Sequence, residues 1–438
     1  MKIWVSLLLI LLLAVVLVAW VALPWQGALV LAGVFAAWLG LTRSGRRALS
    51  VAWVGISTLR QRLGSSAVIV VGIAGVVGVL VAMLAMAEGY AETLRKTGSV
   101  DTAIVLRGAS AAEVMSGLDR DSVLQIAQTA GIARDAKGEP LASPEIVVAA
   151  NLPLKDGIAD DEGSVQLRGV GDQAWSVRPQ VRIVDGRRFT PGLRELIVGR
   201  GAAKQFAGLV PGHEIRLGSQ KWTVAGVFAS GDALESEIWG DANVVAETYE
   251  RGSSRNSVTV RLADAQTFAP FKAALDANPQ LKIEASTTLD YFSKQSEGTS
   301  KVIRIIGIIV GAIMAIGAMF GALNTMFAAV AARAREIATL RAIGFAGLPV
   351  VVAILLETML LALAGGVLGG VVAWLLFNGY GASTMAAGSV GKLSFELHVT
   401  AGVLWEGLKW ALAIGLIGGI FPAVRAATMP VTAALREL

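Results

Sequence analysis

Arg333-Ala334-Arg335-Glu336-Ile337-Ala338-Thr339-Leu340-Arg341-Ala342-Ile343-Gly344 is a charged cassette set between two apolar runs, Lys301 to Ala329 and Val350 to Phe377, each long enough to cross a bilayer. Short basic loops are retained in the cytosol during insertion, so the cassette marks the cytosolic side and orients everything else. Ile337, Leu340, Ile343 and Gly344 recur at helical spacing, which predicts a short amphipathic helix with one apolar stripe and one basic face. Gly344 suits the position just past its end. Such a helix is either a lipid anchor, or a ridge that fits a groove on a soluble partner, or a solvated loop that only holds topology. The residues alone leave these open.

Composition supports a membrane protein. Of 438 residues, 54% are hydrophobic and only 16% charged, and the apolar residues are gathered in long blocks. There is no cysteine, which excludes disulfides, thiolate metal sites and a Cys nucleophile. The net charge of +5 matters less than its placement. Arg43, Arg46, Arg47, Arg60 and Arg62 stand in a stretch without acids, whereas Asp and Glu gather mid-chain. This is positive-inside asymmetry and not a nucleic-acid footprint.

Working outward, the expected architecture is an α-helical membrane domain with an α+β extracytoplasmic domain. Ile3 to Leu23 and Trp25 to Leu41 read as an N-terminal transmembrane hairpin, residues 1–42, too long for a cleaved leader and followed by further spans. Residues 43–64 read as an amphipathic elbow helix with Leu49, Ala52, Trp53, Ile56 and Leu59 on one face. Residues 65–97 carry the first core span and a stalk. Residues 98–288 have soluble composition, with β-rich runs at Thr102–Arg107, Glu145–Ala150, Val165–Val170, Ile215–Leu217, Trp222–Phe228 and Ser257–Leu262, and helical stretches at Ala111–Ala130 and Thr267–Ala277. Residues 289–330 form a stalk and second core span that together exceed the membrane thickness. The cytoplasmic helix occupies 331–347. The third and fourth core spans occupy 348–421, joined by an outer loop with Lys392, Glu396 and His398, and 422–438 is a cytoplasmic tail. Six spans result, with both termini inside.

Several stretches, in order, resemble the ABC transporter permease family of the MacB/FtsX type, which includes macrolide exporters, lipoprotein-releasing permeases and a cell-division protein. Asn324 and Met326 precede Arg-Glu-Ile and Leu-Arg-Ala-Ile-Gly in the cassette; Glu357 precedes Gly365, Gly366, Gly369 and Gly370. The chain closes on Gly419-Ile-Phe-Pro422-Ala-Val-Arg425-Ala-Ala427, then Pro430 and Ala434-Leu-Arg436. The soluble segment contributes Glu195-Leu-Ile-Val-Gly199, Pro211-Gly212, Ile215-Arg-Leu217 and Val224-Ala-Gly-Val227. The resemblance covers residues 46 to 438 and leaves out the N-terminal hairpin, a departure from the family's four-span layout.

The resemblance implies a permease homodimer in the bacterial inner membrane, each copy holding an ABC ATPase subunit that binds ATP and Mg. Arg333, Arg335, Glu336, Ile337, Leu340, Arg341, Ile343 and Gly344 would form the coupling helix, Lys301 to Ala329 the lever, and the periplasmic domain the moving part. A periplasmic adaptor, an outer-membrane channel and membrane lipids are further partners it allows. No stretch has the Gly-x4-Gly-Lys-Ser/Thr spacing that wraps phosphates, so the nucleotide site is expected on a separate chain.

His213 and His398 are too isolated for a metal cluster, Asp160-Asp161-Glu162 lacks calcium-loop spacing, and no elbow motif suggests a Ser-His-Asp set. No enzyme site, metal or resident cofactor is expected. Glu357 is a costly carboxylate inside an apolar run; it is expected to pair with an Arg of the coupling helix and orient it, in preference to relaying protons. Asn324 is a candidate hydrogen-bond partner of Glu357 or a polar residue that joins two helices. Gly307 with Gly311, and Gly317 with Gly321, have small-xxx-small spacing, serving either a dimer seam or packing within one subunit; Gly365 and Gly369 are further packing candidates. Two functions remain: export or extraction of a hydrophobic, lipidic or peptide substrate, or FtsX-like control of a cell-wall hydrolase. The large outer domain favours the first.

Overall fold

The computed structural model describes residues 19–20, 23–57, 63–155, 161–278, 280–385 and 390–430. They fall into two compact units: a helical one, from residues 1–85, 303–378 and 398–438, and an α+β one, from residues 86–302 and 379–397.

The helices that build the helical unit are α1 (Trp25–Leu41), α2 (Arg43–Ser57), α3 (Leu63–Thr97), α4 (Thr288–Ala332), α5 (Ala334–Ala342), α6 (Gly347–Phe377) and α7 (Ala401–Thr428), except that α3 from Met86 and α4 up to Val302 belong to the α+β unit. Among the described residues α3, α4, α6 and α7 are long and apolar enough to cross a membrane; α1 and α2, bent by 93° at Thr42, make a fifth only if counted as one broken span. The six expected spans are therefore not all in view, because nearly all of the first hairpin arm, Ile3 to Leu23, lies outside the described residues.

Glycines decide how these helices meet. Two registers one residue apart on α6 serve two neighbours. A Cβ on Gly365 would stand 2.8 Å from the Val70 carbonyl of α3, and Gly369 abuts Ala74 and Val77 of the same helix. A Cβ on Gly366 would stand 2.8 Å from Ala411 of α7, and one on Gly370 3.2 Å from Leu404. Apolar surface gives helices little reason to associate in lipid, so close backbone approach supplies the attraction instead.

The elbow helix meets its neighbour through small residues. Gly45, Ala48, Ala52 and Gly55 of α2 are buried, and the helix lies against α6. Leu49, Trp53 and Val54 are exposed. Of the face expected to be apolar, Leu49 and Trp53 are exposed, Ala52 is buried and Leu59 lies outside the described residues; the small residues of α2 are the ones that let the two backbones close.

In the α+β unit the strands are β1 (Thr102–Arg107), β2 (Ala142–Pro153), β3 (Glu162–Val170), β4 (Arg182–Gly186), β5 (Glu195–Gly199), β6 (Glu214–Leu217), β7 (Gln220–Ala229), β8 (Glu237–Asp241), β9 (Ser257–Arg261) and β10 (Ile283–Thr287). They form one mixed sheet in the order β10-β1-β9-β2-β3-β8-β5-β7-β4, with β6 beside β7. The long strand β2 joins its halves: Ala142 to Glu145 pair with β9, and Ile146 to Pro153 pair with β3. One apolar core, with Val105, Val258 and Phe271, lies under the first half. Others, around Trp222 and Trp239, lie under the second.

The helix expected over Ala111–Ala130 is broken into a 3-10 turn, Glu113–Met115, and a helix, Arg120–Ala127. Local side-chain bonds compete with a continuous helix here. The Arg107 amide donates to the Ser116 hydroxyl at 2.9 Å, and Asp119 caps the new helix by accepting from the Ser122 amide at 2.7 Å.

The loop expected between α6 and α7 is instead an antiparallel hairpin, β11 (Gly381–Met385) and β12 (Lys392–Glu396), counted with the α+β unit. Leu393 and Phe395 alternate inward. The Tyr90 ring meets Phe395 edge-on at 5.6 Å, the Ser394 amide donates to the Ser236 hydroxyl at 2.9 Å, and the Ser164 hydroxyl donates to the Val390 carbonyl. His398 falls beyond the hairpin, in the helical unit.

Candidate functional site

The cassette forms a short helix that begins and ends on identifiable breaks. Arg333, with φ −105° and ψ 14°, separates α4 from α5. At the other end Gly344 takes φ +101°, a left-handed conformation that favours glycine, and the Phe345 amide closes back on the Leu340 carbonyl at 3.1 Å.

Both ends of α5 are tied down by arginines. Arg333 Nη1 donates to Glu357 Oε2 at 3.0 Å and Nη2 to Oε1 at 2.5 Å, a bidentate pair. Glu357 is buried in α6, at 4% exposure, so this charge is compensated where an unpaired one would be costly. Arg333 Nε is also buried but has no acceptor among the described residues. At the far end Arg341 Nη1 donates to the Met429 carbonyl at 2.6 Å, just past α7.

These ties leave a definite outward face. Ile337 and Ala338 are buried and Leu340 half-buried, whereas Arg335, Glu336, Thr339, Ile343 and Gly344 are exposed. The stripe expected from Ile337, Leu340 and Ile343 is therefore split, with Ile343 outward at 69% exposure. Arg333 and Arg341, assigned to the same face as Arg335 in the sequence, are engaged within the chain.

Asn324 is exposed on α4, and its side chain makes no hydrogen bond among the described residues; Glu357 is partnered by Arg333 instead. The glycines of α4 separate by role. A Cβ on Gly307 would stand 2.7 Å from Met83 Cβ, and one on Gly311 3.1 Å from Leu80, both on α3. Gly317 and Gly321 face open space.

A second charged centre lies in the α+β unit and was not singled out from sequence. Arg168 of β3 is 1% exposed, yet all five of its N–H groups find carboxylates. Nε reaches Glu237, Nη1 reaches Glu113 and Glu145, and Nη2 reaches Glu113 and Glu237, all between 2.7 and 3.0 Å. Arg178 grips Glu145 from the other side, Gln166 and Trp239 donate to Glu237, and Ser257 donates to Glu113. Burial alone would lower the Arg168 pKa, but the surrounding carboxylates of Glu113, Glu237 and Glu145 outweigh it and hold the guanidinium protonated. Burial likewise pushes the Glu145 carboxyl up, and Arg178 and Arg168 together hold it below its ordinary value.

The cluster sits where β2 changes partner, and it reaches the first turn of α4. The Glu113 amide donates to the Tyr291 hydroxyl at 3.1 Å, and burial, then the charge on Glu113, pushes that phenol well above its ordinary range. The one sequence signal was a charge, Arg168, inside the apolar run Val165–Val170.

Comparison with known proteins matches both parts of the chain. Residues 66–278 match the family model of the MacB-like periplasmic core domain, and residues 308–431 match that of the FtsX-like permease C-terminal region. The chain belongs to the MacB/FtsX-like ABC transporter permease family.

The permease is 26% identical over 307 residues to the uncharacterized ABC transporter permease YknZ of Bacillus subtilis (strain 168), covering 67% of this chain and 75% of that protein. It is 26% identical over 428 residues to the macrolide export ATP-binding/permease protein MacB of Bordetella avium (strain 197N), covering 92% of this chain and 61% of that one. The crystal structure of the extracellular domain of YknZ aligns with a TM-score of 0.33 and 16% identity, over 42% of this chain and all of that one. The buried charge cluster lies within the first matched region of the permease and the Arg333–Glu357 pair within the second. Gly55 and the rest of α2 precede both.

Proposed function

We propose that the chain is the permease subunit of an ABC transporter, coupling ATP hydrolysis on a separate ATP-binding subunit to motion of its α+β domain on the periplasmic side of the inner membrane. ATP and Mg are bound by that subunit. The observation that carries the reading is the outward face of α5. Arg335, Glu336, Thr339 and Ile343 are exposed and form a short ridge of charge around an apolar side chain, suited to a groove on a soluble partner.

The lever is α4. At about 1.5 Å per residue its 45 residues extend about 68 Å, against a hydrocarbon core of about 30 Å. One helix therefore begins beside the charge cluster at Tyr291 and ends at the Arg333 break. This continuity supports transmission of force without substrate passing among the spans.

The cargo is a hydrophobic, lipidic or peptide substrate exported or extracted at the outer face. The match to a MacB-like periplasmic core favours this over control of a cell-wall hydrolase. A second permease copy seats on the open face of α4 around Gly317, Gly321 and Asn324, where small residues allow close approach and Asn324 offers an interhelical hydrogen bond. A periplasmic adaptor and an outer-membrane channel would complete an export assembly.

Capture of the tagged full chain from native membranes, with the co-purifying proteins and lipids identified, tests the reading. An ABC ATP-binding subunit is expected in stoichiometric amount. Recovery of a cell-wall hydrolase without transport components would favour the regulatory alternative.

A further inference from the structure

We propose that Gly55 of α2 is a positioning residue for the coupling joint: it leaves the space in which Arg333 and Glu357 hold their pair, and so ties the elbow helix to the angle between α4 and α5. The proposal rests on reading α5 as the coupling helix, and extends that reading to an element outside both matched regions.

A glycine inside a helix costs about 1 kcal/mol relative to alanine, so its presence calls for a reason in packing. Along the buried stripe of α2, Ala48 and Ala52 each carry a Cβ into the contact, and Gly55 does not. A Cβ there would stand 3.0 Å from Glu357 Oε2 and 3.1 Å from Arg333 Nη1. Both atoms belong to the ion pair, and both approaches are tighter than ordinary van der Waals contact. The empty volume at residue 55 is thus occupied by the two partners at their point of contact.

The pair has a second mode close at hand. Arg333 meets Glu357 end-on, through Nη1 and Nη2, and leaves Nε buried without an acceptor among the described residues. A carboxylate can instead be held side-on by Nε and one Nη, and that arrangement would satisfy the orphan donor. Rotation of the guanidinium connects the two. The end-on mode needs room for Nη1, and that room is Gly55. Because Arg333 is itself the non-helical residue between α4 and α5, rotation of its side chain and the angle of that break are linked. Gly55 therefore selects the mode of the pair, and through it the resting angle of the joint.

The absence of cysteine makes the test direct, since paired spin labels can be placed on the full-length permease in lipid nanodiscs. Labels at Ser50 on α2 and Thr339 on α5, both exposed, report the distance between elbow and coupling helix. One distance population is expected for the labelled parent. Gly55→Ala should add a second, and Glu357→Asp in the same chain should return it to one, because the shorter carboxylate draws the pair away from the new Cβ. A Gly55→Ala distribution that coincides with the parent overturns the proposal, as does a second population that Glu357→Asp leaves in place. The measurement uses the permease alone, so either result stands apart from whether α5 docks an ATP-binding subunit, which capture of that subunit by an Arg335→Glu variant decides separately.

Discussion

Arg168, buried, and Arg333, half-buried, are used in opposite ways. Arg168 spends all five donors on three carboxylates contributed by a 3-10 turn and two strands, whereas Arg333 holds one carboxylate with two donors and leaves a third without an acceptor among the described residues. A buried charge network that is fully satisfied specifies one arrangement, since any displacement exposes several ionic groups at once. A single pair with an unused donor has an alternative of similar chemistry. The first suits a rigid framework, and the second a joint able to change angle.

The largest effect is expected where the first centre is broken. Arg168→Met would leave Glu113, Glu145 and Glu237 buried without their common counter-charge, a loss of about 3–5 kcal/mol, and cooperative melting of the α+β unit should fail or shift strongly downward. Melting equal to that of wild type would mean the cluster is not a framework.

Breaking the second centre should affect function more than fold. Glu357→Ala is expected to leave the chain folded and the ATP-binding subunit captured, while ATP hydrolysis loses its coupling to transport, about tenfold or more in transport per ATP hydrolysed. Wild-type coupling in that variant would remove the joint from the account.

The glycines of α4 sharpen the comparison within one helix. Gly311→Leu must displace Leu80 and should cost about 1–3 kcal/mol in melting of the helical unit. Gly317→Leu meets open space, so its effect should fall on association of two copies, read by cross-linking or native mass spectrometry, with melting unchanged.

The smallest effect concerns an exposed pair. The Arg187 guanidinium, with the Thr190 amide, holds the Glu195 carboxyl down from 4.5 to about 2. A carboxylate with a lowered folded pKa contributes stability above its unfolded value and loses it as pH falls through the folded one. The melting difference between wild type and Glu195→Gln should therefore be full at neutral pH and fade between pH 4.5 and about 2.

What was legible in the sequence follows the same division. The apolar runs, the cassette and the conflict of a carboxylate at Glu357 were visible because each is local: hydropathy, spacing and one misplaced charge. Strands β1, β3 and β7 were readable from alternating or β-rich runs. Strand β8, Glu237–Asp241, was not, because a buried strand that begins and ends on acids has no apolar run to show. The hairpin β11–β12 was hidden for a related reason, since only Leu393 and Phe395 alternate inward in its second strand.

At the site, sequence placed Arg333, Arg335 and Arg341 together on one helix and could not say which of them turn inward. That is decided by Glu357 and the Met429 carbonyl, which are distant in sequence. The seat at Gly55 was invisible for the same reason. The Arg168 cluster draws its members from separate elements and has no spacing at all.

The central claim is that α5 presents Arg335 and its neighbours to an ATP-binding subunit while Arg341 serves the permease itself. Quantitative capture of that subunit by full-length permease with charge reversed at Arg335, and separately at Arg341, tests it most directly. The account predicts that Arg335→Glu loses the subunit and that Arg341→Glu retains the greater share. Equal capture by both variants and wild type, or loss confined to Arg341→Glu, would contradict it.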